Sequence, residues 1–193
     1  MATADKKVIK HHATRLTPKA DTKPVAVQVD DSARLRQIRQ LVRDNNRSSL
    51  DEDLVICQIY MESRFDASAN ANGSTARGLM QLLRAPVREL YRIRSLQKSR
   101  AERESETEMY SEADQFHDSP GFVDEATNIQ TGTEYLQYLI KRETQMHASD
   151  PVAEAYKDYR GRRNGIYYQK IKAAADRLRT NPESMQVLRD MVE

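Results

Sequence analysis

From Ser32 onward the chain alternates between stretches of helical hydrophobic spacing and short polar breaks. Leu35, Ile38, Leu41 and Val42 recur three and four residues apart, with Arg and Gln elsewhere, which predicts an amphipathic helix from about Ser32. Asn45-Asn46 ends it, and Ser48-Ser49 leads to the next. Residues 51 to 64 read differently. Leu54, Val55, Cys57, Ile59 and Met61 make this segment apolar almost all round, the mark of a central, buried helix. Asp51, Glu52 and Asp53 place at its start the charge that a helix N-terminus favours. The stretch 66–77 carries Asn, Ser and Gly and reads as a loop. A third helix is predicted over 78–93, with Leu79, Leu82, Leu83, Val87 and Leu90 inward; Pro86 inside that span suggests a restart with proline in the first turn.

The pattern fades over residues 92–115, where Arg, Lys, Glu and Ser dominate, consistent with an exposed, ion-paired helix or an insertion. Asp118-Ser-Pro-Gly121 is a turn. A strongly amphipathic helix follows over about 124–146, with Ile129, Tyr135, Leu136, Leu139 and Ile140 on its core face. Pro151 can open another, and two more are expected over 164–179 and 182–192, separated by Asn181-Pro182. Residues 1–31 are polar and basic without sustained periodicity and read as a mobile tail ahead of one domain, 32–193, with a charged insertion around 95–115.

Composition supports a mainly helical fold and excludes several functions. Six Gly and six Pro in 193 residues disfavour a turn-rich all-β fold. A net charge of +2 gives no argument for nucleic acid as a partner. The single cysteine, Cys57, excludes an internal disulfide and a cysteine zinc site, and its apolar neighbours make it a buried thiol. His11-His12 fall in the tail, and His117 and His147 stand alone, so no metal or cofactor is expected. No run approaches the roughly 18 apolar residues of a membrane span, and no apolar segment follows the early lysines, so no Sec-type signal peptide is expected. The basic tail could touch anionic wall polymers or membrane surfaces, but reads first as a solvated tail.

Glu62 is the candidate for chemistry. It closes the apolar run of the second helix, and a carboxyl set against apolar side chains is harder to ionise, as a general acid near neutral pH requires. Judged alone it reads as a helix-end Glu exposed to water, or paired with Arg64.

The downstream spacing decides between these. Glu62-Ser63-Arg64-Phe65, a short polar loop, and then Gly78-Leu79-Met80-Gln81 resemble the "E-S-x-F" and "G-L-M-Q" segments of the goose-type lysozyme and soluble lytic transglycosylase family. Asn128-Ile129, Gly132 and Tyr135-Leu136 resemble its "N-I-x-x-G-x-x-Y-L" helix, and Ala155-Tyr156 the start of its "A-Y-N" segment. The resemblances come in family order over about 54–171. They imply a lysozyme-like helical fold with a substrate cleft between helical lobes, and peptidoglycan glycan strands as substrate. The implied reaction cleaves the MurNAc-GlcNAc bond with one glutamate as acid and then base, closing a 1,6-anhydro ring.

The resemblance also implies roles. Glu62 would be the acid/base, and Ser63 would donate to substrate. Gly78 would admit the glycan to the backbone, Met80 and Gln81 would line the cleft, and Asn128 and Tyr135 would face it from across. The Tyr156 hydroxyl would approach Glu62; Tyr135 reads as well as a core tyrosine. Lys157 stands where the family carries Asn, and Asp158-Tyr159-Arg160-Gly161 replaces its usual short turn, so Tyr159 could take the place of Tyr156. A hydrolase of phage or bacterial origin and a non-catalytic wall-binding module are the alternative readings. Action in the periplasm or cell wall without a Sec signal would imply a specialised secretion system, with an immunity protein or apparatus component as partner, or release by phage lysis.

Overall fold

The computed structural model describes residues 31–70, 73–161 and 165–193; the expected tail, 1–30, lies outside them. Among the described residues the fold is mainly helical, with eight α-helices and no strand. They are α1 Ala33–Asn45, α2 Glu52–Ser63, α3 Arg84–Leu96, α4 Glu106–Asp118, α5 Glu125–Gln145, α6 Pro151–Arg160, α7 Ile166–Thr180 and α8 Met185–Val192.

The central helix is α2, as its all-round apolar sequence requires. Every residue from Asp53 to Tyr60 is buried, and α1, α7 and α8 pack around it. Asp51 caps its start by accepting from the Leu54 amide at 3.1 Å. The one strongly charged group in its buried stretch, Asp53, is paired with Arg39 of α1 at 2.8 Å, and Arg39 also donates to the Pro182 carbonyl. The helix stops because Arg64 and Phe65 both take left-handed backbone angles, φ +56° and +67°. Two such non-glycine residues are costly locally. Arg34 donates to the Phe65 carbonyl at 2.8 Å and the Phe65 ring meets Tyr60 edge-on at 5.0 Å, which fixes the turn. Glu62 is thereby left on the last turn, half-buried, where α2 emerges from the core.

The longest helix, α5, crosses the molecule and contacts α1, α3 and α6. On one side lies the main core, gathered on α2; on the other, Leu82, Val87, Ala113 and Phe122 form a second, smaller core under an α3–α4 hairpin. The charged stretch 92–115 therefore folds as the end of α3, a short turn of 3₁₀ helix at Arg100–Glu102, and most of α4. The hairpin is crossed by Arg84–Asp118 and Arg88–Asp114 pairs and tied to α5 by Arg94–Glu134.

The third helix is shorter than its hydrophobic spacing predicts. Residues 78–83 are not helical; α3 starts at Arg84, with Pro86 in the first turn, where a missing N–H has no helical partner to lose. Leu79 and Leu82 are inward all the same, because the segment is a tight loop whose side chains enter both cores.

Candidate active site

Between the two cores runs a cleft of about 330 Å³. Its walls come from the end of α2 (Met61, Glu62), the loop before α3 (Ser74, Ala76, Gln81, Leu82, Leu83), Pro86 of α3, and the end of α6 (Tyr159, Arg160). Among the described residues Glu62 is the one acidic side chain on these walls.

The carboxyl of Glu62 is held by α7. The Tyr167 hydroxyl donates to Oε1, and Oε2 makes no hydrogen bond among the described residues. Burial pushes this carboxyl above the ordinary glutamate range; the Tyr167 hydroxyl, then the Arg160 and Arg64 cations, pull against that rise without cancelling it. Burial and the neighbouring carboxylate also hold the Tyr167 phenol well above its usual value, so it stays a donor. Asp66, the nearest acid in sequence, is exposed and turns away into a local turn, its Oδ1 accepting from the Ser68 amide at 2.8 Å and the Ser68 hydroxyl at 2.6 Å. Those bonds keep Asp66 below the ordinary aspartate range.

The loop that faces Glu62 is shaped by a set of buried contacts. Gly78 takes φ +75°, and a Cβ there would lie 2.3 Å from Asn128 Nδ2. The fully buried Asn128, in the first turns of α5, accepts from the Met80 amide at 2.8 Å and donates to the Arg77 carbonyl at 3.3 Å and the Phe122 carbonyl at 3.2 Å. Met80 is itself fully buried against Gly132, where a Cβ would lie 2.4 Å from its sulfur. Tyr159 of α6 donates to the Met80 carbonyl at 2.7 Å. Gln81 takes φ +46° and folds its amide back onto the Ala69 and Gly78 carbonyls, both at 2.8 Å. On the far side His117 Nε2 meets the Leu82 carbonyl at 3.2 Å, and Arg77 donates to the His117 carbonyl. Three helices thus grip one hexapeptide from Gly78 to Leu83.

This geometry relocates several residues of the sequence motifs. Glu62 and Gln81 line the cleft. Gly78, Met80 and Asn128 meet one another beneath the loop and not on the wall, because Asn128 and Met80 fill the spaces that Gly78 and Gly132 leave. Ser63 is buried, with its hydroxyl donating to the Ile59 carbonyl at 3.1 Å, one turn back in α2. Tyr135 is half-buried in a cluster with Tyr138 and Tyr159 at ring distances of 6.3 and 6.0 Å. Neither tyrosine expected near Glu62 bonds it. Tyr156 is fully buried and stacks on Tyr168 at 4.9 Å, and Tyr159 lines the cleft with its hydroxyl on Met80. Tyr167 of α7 does so instead. Its only mark in the sequence is a Tyr-Tyr pair at the start of a helix, which does not say which ring points at a carboxyl 105 residues earlier.

Among the described residues, then, a helical domain with two cores carries one acidic side chain, Glu62, in the cleft between them. The chain matches the family described as Transglycosylase SLT domain over residues 42–176, well over half its length, and it belongs to that family. Membership makes it a transglycosylase-type enzyme that degrades peptidoglycan at the cell wall. No curated protein and no solved structure matches the chain significantly. Among the described residues no helix is long and apolar enough to cross a membrane.

Proposed function

We propose that the chain is a lytic transglycosylase that cleaves the MurNAc-GlcNAc β-1,4 bond without water, with Glu62 as both acid and base. The observation that carries this reading is the isolation of Glu62, which burial keeps protonated more readily than an ordinary glutamate, in a cleft lined by no second acid among the described residues. Hydrolysis by paired carboxylates needs one group for the leaving oxygen and another for water or the sugar carbon. A single carboxyl suffices if the sugar supplies its own nucleophile. Protonated Glu62 donates to the glycosidic oxygen, the bond from C1 to that oxygen breaks, and an oxocarbenium-like sugar forms. The resulting carboxylate then removes the proton of the MurNAc C6 hydroxyl, whose oxygen bonds C1 and closes the 1,6-anhydro ring. Glu62 is protonated again at the end. Tyr167 holds Oε1 and leaves Oε2 open to carry the proton.

Digestion of purified sacculi, with products weighed by mass spectrometry, tests this. Anhydro-muropeptides that disappear in Glu62→Gln support it. Reducing ends would assign a hydrolase, and tight sacculus binding with no released product in either form would assign a binding module. The reading extends to the site of action. A wall-cleaving chain acts in the periplasm or cell wall, reached through a specialised secretion system or phage lysis, and an effector so delivered has a cognate immunity protein. Lysis only on periplasmic targeting, relieved by co-expression of an adjacent gene, is the expected outcome; lysis unrelieved by any neighbour removes the immunity partner.

A further inference from the structure

Among the described residues one cation, Arg160, lines the cleft together with Glu62. Arg160 is the last residue of α6, is exposed, and lines the cleft with Glu62. Its guanidinium carbon lies 5.6 Å from the centre of the Tyr167 ring, whose hydroxyl holds Glu62. By contrast, Arg142, Lys157 and Arg64 are engaged. Arg142 pairs with Glu143 and Asp158, Lys157 pairs with Glu154 at 2.5 Å, and Arg64 donates to the Tyr60 and Met61 carbonyls at 2.7 and 2.9 Å. Arg160 has no ion pair and no hydrogen bond among the described residues. Lying over the Tyr167 ring, its planar donor fork is open toward the cleft that Arg160 lines.

This inference rests on the peptidoglycan reading above. The sugars of such a strand offer neutral hydroxyls and amides; its negative charge lies in the carboxylates of the lactyl-peptide substituent. A guanidinium fork matches a carboxylate with two parallel hydrogen bonds. We propose that Arg160 is a substrate-binding residue, forming a carboxylate subsite beside Glu62 that selects glycan strands by the charge of the muramoyl substituent. The carboxylate is either the lactyl group of a strand stripped of its peptide or one on an attached peptide stem. Binding also feeds back on the acid. Arg160 is among the cations that pull the Glu62 carboxyl down, so pairing it with a substrate carboxylate lets burial hold Glu62 in its acid form.

The test is a cycle between Arg160 and the charge of the substrate. Four substrates are compared: intact sacculi, amidase-stripped strands, and each of these with carboxylates capped as methylamides. Arg160→Gln is expected to lower kcat/KM about tenfold, the equivalent of one charge-assisted contact in a solvent-open cleft. The loss should appear on whichever charged substrate carries the contacted carboxylate, should shrink with added salt, and should vanish on its capped form. Arg160→Lys should restore part of it. Loss on intact sacculi only assigns a stem carboxylate; loss on stripped strands only assigns the lactyl group. An equal loss on charged and capped strands, or no loss on any, overturns the subsite. Co-sedimentation of the same four substrates with Glu62→Gln, with and without Arg160→Gln, reads the subsite without turnover. If wild type released no product while that binding difference held, the acid/base reading would fail and the subsite would stand.

Discussion

Asn128 holds the loop that forms one wall of the cleft, and its replacement has a calculable cost. Asn128→Ala removes one acceptor and two donated bonds at a fully buried position. The Met80 amide has no second acceptor among the described residues, and a buried N–H left unsatisfied costs about 1–3 kcal/mol. The Arg77 and Phe122 carbonyls sit at 3.3 and 3.2 Å, so their bonds are weaker, and losing both adds about 1 kcal/mol. The sum is about 3 kcal/mol, a large part of the stability of a small domain, equivalent to roughly 6–12 °C in Tm. Urea unfolding of wild type and variant measures it directly. Asn128→Asp sharpens the test. The new carboxyl keeps an acceptor for Met80 but turns an oxygen toward two carbonyl oxygens. Its folded pKa is therefore raised above the unfolded value of about 3.9. The stability of that variant is fully present below the unfolded pKa and is lost as pH rises through the folded one. It should be close to the wild type in acid and worse than Asn128→Ala near neutrality. A cost below about 1 kcal/mol for Asn128→Ala, or an Asn128→Asp deficit that does not grow with pH, would refute the argument that this amide holds the loop.

Three further outcomes follow from the site. Tyr167→Phe removes the hydroxyl that pulls the Glu62 carboxyl down, so the alkaline limb of the pH–rate profile should move to higher pH; an unmoved limb, or one shifted to lower pH, contradicts the contact. Glu62→Gln should stabilise the fold increasingly as pH rises. The folded pKa of Glu62 is raised, so its contribution is fully present below the unfolded value of about 4.3 and is lost as pH climbs through the folded one, whereas Gln does not titrate. A Tm difference that is constant between acid and neutral pH argues against a desolvated carboxyl. Gly132→Ala places a Cβ 2.4 Å from the Met80 sulfur and 3.0 Å from the Met80 Cβ. Overpacking of this kind costs about 1–3 kcal/mol. Combined with Met80→Ala, the two losses should be less than additive in thermal unfolding; strict additivity would mean that the two residues do not meet.

Helix existence was legible in the sequence wherever one apolar period ran unbroken. The all-apolar stretch of α2 predicted a central helix and α2 is central; the stripe on α5 predicted a long helix and α5 is the longest. The misread boundary, 78 for 84, has a physical cause. Leu79, Leu82 and Leu83 keep helical spacing, but Asn128 gives the buried Met80 amide an acceptor from outside the segment, so the segment can stay a loop and still be buried. No local pattern reports a hydrogen bond from a residue 48 positions away.

The site motifs are ambiguous in sequence for a related reason. A glycine needed for a glycan to approach and a glycine needed for a neighbouring side chain to approach look alike in sequence. Gly78 accommodates Asn128 and Gly132 accommodates Met80, so four of the motif residues describe one packed junction under the cleft wall. Exposure separates the motif residues: Glu62 and Gln81 reach the cleft, while Asn128, Met80 and Ser63 do not. Tyr156 is withdrawn into the core, and α7 brings Tyr167 to the carboxyl in its place. Acid strength at Glu62 is accordingly set from outside its own helix, by a phenol on α7 and a guanidinium at the end of α6, and α2 contributes the burial against which both act.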